Sequence, residues 1–167
     1  MSTMNAIFNR KSVRQFLDKP VEAEKLEKLL RAAMQAPSAK NQQPWEFVVV
    51  EDKDLRAQLA TVTPYTAPAG RAPVVIAVCG NLERVTTPKF WEVDCAAAIE
   101  NILLEAVELD LGGVWMGIFG ESAHALADLL HLPDNVVPMS MVAIGYPEND
   151  LPAVDRFDQA KIHHERW

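Results

Sequence analysis

Three cations and a hydroxyl lie within five residues at Arg10-Lys11-Ser12-Val13-Arg14. Guanidinium groups present planar, fixed donors that suit a phosphate or an anionic ring edge, and a serine adds a short hydrogen bond. A second segment, Ala36-Pro37-Ser38-Ala39-Lys40-Asn41-Gln42-Gln43-Pro44-Trp45-Glu46-Phe47, is a loop of amides and small side chains held between prolines. Amides both donate and accept, as the edge of a heteroaromatic ring with carbonyls and an N–H requires. A third, Gly112-Gly113-Val114-Trp115-Met116-Gly117-Ile118-Phe119-Gly120, holds four of the chain's seven glycines. Glycine lets backbone approach a ligand closely, and Trp115 and Met116 can supply an apolar wall. Each segment also has an ordinary alternative: a solvated basic turn, a helix-to-strand connection with Trp45 in the core, and a tight turn leaving a helix.

The elements that must position these segments are readable from periodicity. Leu26, Leu29, Leu30 and Ala33 recur at helical spacing within 22–36, with Pro37 as the stop. Phe47 to Val50 reads as a short strand, and Asp52 as the cap of a helix through about Ala60. Pro73 to Cys79 is continuously apolar, as in a strand buried on both faces. Residues 92–110 are apolar around most of a helical circumference, which predicts a central core helix ended by Gly112-Gly113. Val114 to Phe119 reads as a short strand, Ser122 as the cap of a helix to about Leu130, and Val136 to Ile144 as a last core strand broken by Pro138. Helices and strands without regular βαβ alternation predict an α+β fold. Glu148 to Trp167 is polar, lies beyond the last core strand and ends in a tryptophan, so a partner subunit is one candidate for what it packs on.

Several chemistries are disfavoured. There is no GxGxxG after a strand, no P-loop and no GxSxG elbow. His163-His164-Glu165 lacks metal-ligand spacing and reads as a solvated tail. His124 and His131, seven apart on one helix face, have no completing ligand, so we expect no metal. The chain of 167 residues carries a net charge of −7, which argues against a nucleic-acid surface. No apolar run approaches the ~20 residues of a membrane span. Met1 to Asn9 does not read as a leader, and Cys79 and Cys95 form no CxxC pair, so a reducing, cytoplasmic setting and buried free thiols are expected. With no repeat or linker, residues 1–167 read as one domain.

Taken in order, the segments resemble the FMN-dependent nitroreductase family over nearly the whole chain. The matching stretches are Arg-Lys-Ser-Val-Arg-Gln-Phe at 10–16, Ala36 to Phe47, the helix from Asp94 to Leu111 leading into Gly-Gly-Val-Trp-Met-Gly, Ile144-Gly145-Tyr146-Pro147, and the tail with Asp155-Arg156-Phe157 and His163 to Trp167. The resemblance implies a small, mostly antiparallel sheet flanked by helices. It also implies a homodimer that exchanges its C-terminal arm, residues 148–167, and holds two FMN molecules at the subunit interface. NAD(P)H would be the electron donor, and a nitroaromatic, quinone or related small molecule the acceptor, in ping-pong turnover.

By position, Arg10, Ser12 and Arg156 are the implied phosphate and ribityl contacts, and Arg14 the cation near flavin N1 and O2. Pro37, Ser38, Ala39 and Asn41 are implied to lie along the flavin of the other subunit, and Gly117 and Ile118 to reach N5 and O4. A fixed guanidinium stabilises the negative charge that reduction places at N1–O2, and no protein nucleophile is required. Many relatives carry a second basic residue two positions before the tail arginine. This chain has Val154 there, and Lys11 is the candidate substitute. The Asn that larger relatives place before the second core strand is missing from Thr63 to Thr66. Asn81 to Glu92 is too short for their helical excursion, which leaves Phe90 and Trp91 as candidates to shape the site. A non-enzymatic flavin-binding or redox-sensing protein, or a dehalogenase-like or flavin-modifying enzyme, would share the same fold.

Overall fold

A computed structural model describes residues 3–152 and 154–167. The most apolar segment forms the middle of the molecule. Val74–Asn81 is strand β2, buried along nearly its whole length. It pairs antiparallel with β1 (Trp45–Val50) on one side and with β4 (Val136–Gly145) on the other, and β4 pairs antiparallel with β3 (Gly112–Gly117). The sheet order is β1-β2-β4-β3, so β1 and β3 are opposite edges.

Among the described residues, five α-helices flank it: α1 (Thr3–Asn9), α2 (Ala23–Met34), α3 (Lys53–Leu59), α4 (Trp91–Glu108) and α5 (Glu121–Leu129). On one face α4 inserts Cys95, Ala98, Ile99, Ile102 and Ala106 against Val74, Ile76 and Val142, with α2 contributing Leu29 and Ala33. On the other face Leu59 and Leu126 pack with Val75, Ala77, Met116 and Met141. The α+β expectation thus holds, with every strand pair of the sheet antiparallel. No described helix is long and apolar enough to cross a membrane.

Several boundaries differ from the sequence expectation, each for a local reason. Gly112 and Gly113 do not end α4. The chain turns at Asp110 (φ 60), and both glycines are buried at the start of β3. A Cβ on Gly112 would lie 2.5 Å from Val13 Cγ2, and one on Gly113 would lie 2.7 Å from Ile144 Cδ1. Their bareness lets the segment around Val13 lie flat on β3, where Val13 N–H donates to the Gly113 carbonyl at 3.0 Å. Pro138 does not break β4. Val78 pairs with Ser140 and Cys79 with Pro138, so the strand absorbs the missing N–H as a bulge at Met139.

Ser122 does not cap α5. Gly120 does, at φ 60 and ψ −134, and the Ser122 hydroxyl instead donates to the Phe119 carbonyl at 2.7 Å. His131 lies past the end of α5 at φ 51, so it shares no helix face with His124. Asp52 does cap α3, accepting from Leu55 N–H at 2.8 Å. Helix α1 was not legible in the sequence, and it packs on α4.

A polar knot ties α2 to the exits of α4 and β4. Lys25 Nζ donates to the Leu109 carbonyl at 2.6 Å and to the Tyr146 hydroxyl at 3.0 Å, and that hydroxyl donates to Glu22 at 2.7 Å. The hydrogen bond from Tyr146 holds the Glu22 carboxyl below its ordinary range.

Candidate active site

The basic segment 10–14 is positioned by β3. Ser12 forms a parallel bridge with Gly113, Val13 is buried, and Phe16 bridges Pro147. The side chains therefore leave the segment in different directions. Arg10 Nε lies 3.5 Å from Glu100 on α4. Lys11 Nζ donates to Asp150 Oδ1 at 2.9 Å and to the Leu151 carbonyl, so its charge anchors the root of the C-terminal arm. Arg14 turns the other way and donates to the Ser12 carbonyl at 3.3 Å.

Arg14 lines a cavity of about 490 Å³, together with Tyr65, Pro68, Arg71, Trp115 and Gly117. No acidic side chain is among the described residues lining it. Two guanidinium groups, flat apolar surface from Trp115 and Tyr65, and exposed backbone at Gly117 suit an aromatic ring with one electron-rich edge. Gly117 ends β3 and is exposed, with only the Phe119 ring, at 3.8 Å, near a would-be Cβ, whereas the Ile118 side chain is buried. Ser12 and Arg14 also share a smaller cleft of about 180 Å³ with Asn149 and Leu151. That donor set fits the flavin that the sequence resemblance implies: cations at an anionic edge, a bare backbone stretch and an apolar wall.

Arg71 was not singled out by sequence reasoning. It stands alone after Gly70, in no motif, and only the fold brings it beside Arg14. Thr66, where larger relatives were expected to differ, is buried and bonded to Thr63: its hydroxyl donates to the Thr63 carbonyl at 2.9 Å and accepts Thr63 N–H at 3.0 Å. Its neighbour Tyr65 projects to the cavity rim. Trp91 packs its indole over Gly80, and neither it nor Phe90 lines the Arg14 cavity. Between β2 and α4 the chain makes only the short turns Leu82–Arg84 and Pro88–Phe90.

The loop 37–43 is not beside Arg14. It leads into β1, on the far edge of the sheet from β3. Three strand spacings separate those edges, roughly 14 Å. Pro37 and Asn41 are exposed, and Ser38 and Ala39 half-buried. Lys40, Asn41 and Gln43 have φ of 50, 56 and 44, a left-handed conformation that costs roughly 1–2 kcal/mol for an L-residue. Arg156 lies on the exposed arm and lines neither cleft. Beyond Asp155 the arm's hydrogen bonds are local, as from Phe157 N–H to Asp155 and from Ala160 N–H to Asp158, and Trp167 stacks on His163 at 3.9 Å. A single chain thus gathers part of the expected site, Ser12, Arg14 and Gly117, and holds the rest apart.

No cysteine, serine, threonine or lysine is among the described residues lining this cavity. Cys79 and Cys95 are buried in the core, where desolvation pushes both thiols up to about 12 and leaves them neutral. No group of three or more metal-ligating side chains occurs among the described residues.

Comparison with known proteins identifies the family. The nitroreductase family model matches residues 7–69 and 61–146. A Clostridium acetobutylicum structure provisionally named an NADH oxidase is 46% identical, with a TM-score of 0.95 over 97% of this chain and 99% of that one. An FMN-dependent nitroreductase from Clostridium difficile is 28% identical, with a TM-score of 0.92 over 98% and 99% of the two chains. An Archaeoglobus fulgidus protein provisionally named an NADH dehydrogenase/NAD(P)H nitroreductase is 39% identical over 98% of each chain. A family model that spans most of the chain, with relatives of this identity along its full length, is decisive: this chain belongs to the nitroreductase family.

Proposed function

We propose that the protein is an FMN-dependent oxidoreductase that accepts hydride from NADH or NADPH and delivers electrons to a nitroaromatic, quinone or related small acceptor, acting as a cytoplasmic homodimer. The observation that carries this reading is the cavity bearing Arg14 and Arg71 with no acidic lining residue. The relatives' names, which include FMN-dependent nitroreductase and NAD(P)H nitroreductase, support it. When bound, FMN supplies the hydride-accepting atom and the redox chemistry. Arg14 and Arg71 stabilise negative charge at the ring edge, and the backbone at Gly117 and Ile118 orients the reactive edge. Arg10, Ser12 and Arg156 hold the phosphate and ribityl chain, with Lys11 fixing the arm beside them. Pro37, Ser38, Ala39 and Asn41 of a second copy close the ring's face, because within one chain they stand across the sheet.

The donor and the acceptor must use one face of the ring in turn. The sequence has no separate dinucleotide motif, and hydride transfer needs an approach to about 3–3.5 Å, which excludes both substrates at once. Initial rates are expected to give parallel double-reciprocal lines, with a dead-end nicotinamide analogue competing against the acceptor. Intersecting lines would require a ternary complex and a separate acceptor site. Stopped-flow mixing with NADH or NADPH is expected to bleach the bound flavin; no bleaching by either would leave a flavin-binding protein without this activity.

A further inference from the structure

The loop 37–43 holds three non-glycine residues in the left-handed region, and such a conformation persists only where its surroundings enforce it. The enforcing group is a buried carboxylate. Asp94 lies in the first turn of α4 and is 5% exposed. Its Oδ1 accepts Ala39 N–H at 2.9 Å, and its Oδ2 accepts Gln42 Nε2–H at 2.6 Å. Gln42, itself buried, turns its Oε1 to the N–H groups of Thr86 and Thr87 at 3.0 and 2.9 Å. Between these two anchors, at 39 and 42, the exposed residues Lys40 and Asn41 are pushed outward. The Ser38 hydroxyl accepts Gln43 N–H at 3.1 Å, and Gln43 Nε2 donates to Asn41 Oδ1 at 2.8 Å, which fixes the Asn41 amide as well.

We propose that Asp94 is a positioning residue for cofactor binding in the opposite subunit: through Gln42 it locks the 38–43 loop in the strained shape that presents Ser38, Ala39 and Asn41 to the second copy's flavin. This rests on the reading of the loop as a wall of that flavin site. The helix N-terminus favours a negative charge at this place. Both carboxylate oxygens are needed because both facing groups are donors. An amide at 94 sets N–H against N–H at one of them, and a carboxylate at 42 sets two acceptors face to face.

The donor pattern supplies its own test. Asp94→Asn and Gln42→Glu each break the pairing. Together they restore it in reverse: the new amide at 94 donates to the carboxylate at 42, whose other oxygen still accepts Thr86 and Thr87 N–H. FMN affinity is read by flavin fluorescence quenching on the full-length apoprotein, with subunit association and melting temperature measured in parallel. Each single variant is expected to weaken FMN binding about tenfold or more, the scale of one hydrogen bond to a charged group. The paired swap is expected to return it to within about threefold of wild type, since residues in one network couple rather than add. A buried core change away from the loop, Ile76→Val, is expected to lower the melting temperature without altering FMN affinity. Single variants that bind FMN like wild type, or a swap that binds no better than either single, would overturn the role of Asp94. If both single variants fail to fold, the swap still decides by the same criterion. Wild-type protein that binds no FMN would instead refute the cofactor reading itself.

Discussion

A chain ending at Pro152 is expected to purify as a folded, colourless monomer. Residues 154–167 are exposed throughout and carry large apolar side chains; Phe157 is 72% and Trp167 100% accessible. Their hydrogen bonds are local, and neither core cluster draws on a residue beyond Tyr146. Removing the arm therefore leaves both faces of the sheet packed, and far-UV circular dichroism and cooperative unfolding should persist. Association should not. Full burial of Phe157, Ile162 and Trp167 against a partner contributes roughly 1.5–3 kcal/mol per side chain, so roughly 5–9 kcal/mol before ordering costs. Each 1.4 kcal/mol is about tenfold in a dissociation constant, so several orders of magnitude are at stake. In the proposed assembly Arg156 leaves with the arm, and without association the second copy's loop no longer reaches the flavin site. Sedimentation and flavin absorbance check both results; a truncated protein that remains a yellow dimer would contradict the assignment of the arm.

The second large effect is expected at Arg14. Its guanidinium borders a cavity with no acidic side chain among the described residues lining it, and it donates to the Ser12 carbonyl. Among the described residues it thus meets a neutral acceptor and no carboxylate lining the cavity. Removing one preorganised donor from such a site typically costs about 10²–10³ in kcat. Arg71 remains on the same wall after Arg14→Ala, which places the expected loss at the lower end of that range. The variant should also show a lower flavin midpoint potential. Arg10→Ala should act differently, because Arg10 sits beside Glu100 on α4, away from that cavity's lining. It is expected to weaken FMN affinity with little change in potential. Spectroelectrochemistry and FMN titration of the two variants separate these roles, and equal effects on both quantities would abolish the distinction.

What the sequence made legible follows from where the information lies. β2 was readable as an unbroken apolar run buried along nearly its whole length, and α4 because its apolar residues recur at helical spacing around most of its circumference. The basic segment, the amide loop and the glycine cluster were readable because their chemistry is carried by consecutive residues. Two glycines were misplaced because a bare Cα serves a turn and a close strand crossing equally well, and only the position of Val13 distinguishes them. Arg71 and Asp94 were not visible as functional residues. Asp94 meets Gln42 and Ala39 across 52 and 55 residues of chain, and no local pattern encodes a contact of that range. Helix α1 was missed because seven residues are too few to show a helical period of their own, and so short a helix depends on packing, here on α4.

The separation of the strained loop from the Arg14 cavity, on opposite edges of one sheet, has a genetic consequence. In a homodimer built as proposed, each flavin site draws its cation from one subunit and its loop from the other. A subunit carrying Arg14→Ala and a subunit carrying a disabling loop change would each form inactive homodimers. Mixed together, they place both defects in the same site, and the remaining site is wild type at every position. Co-expression of two silent alleles should therefore restore activity, to about one site in each mixed dimer, whereas defects confined to sites within single subunits could never complement one another.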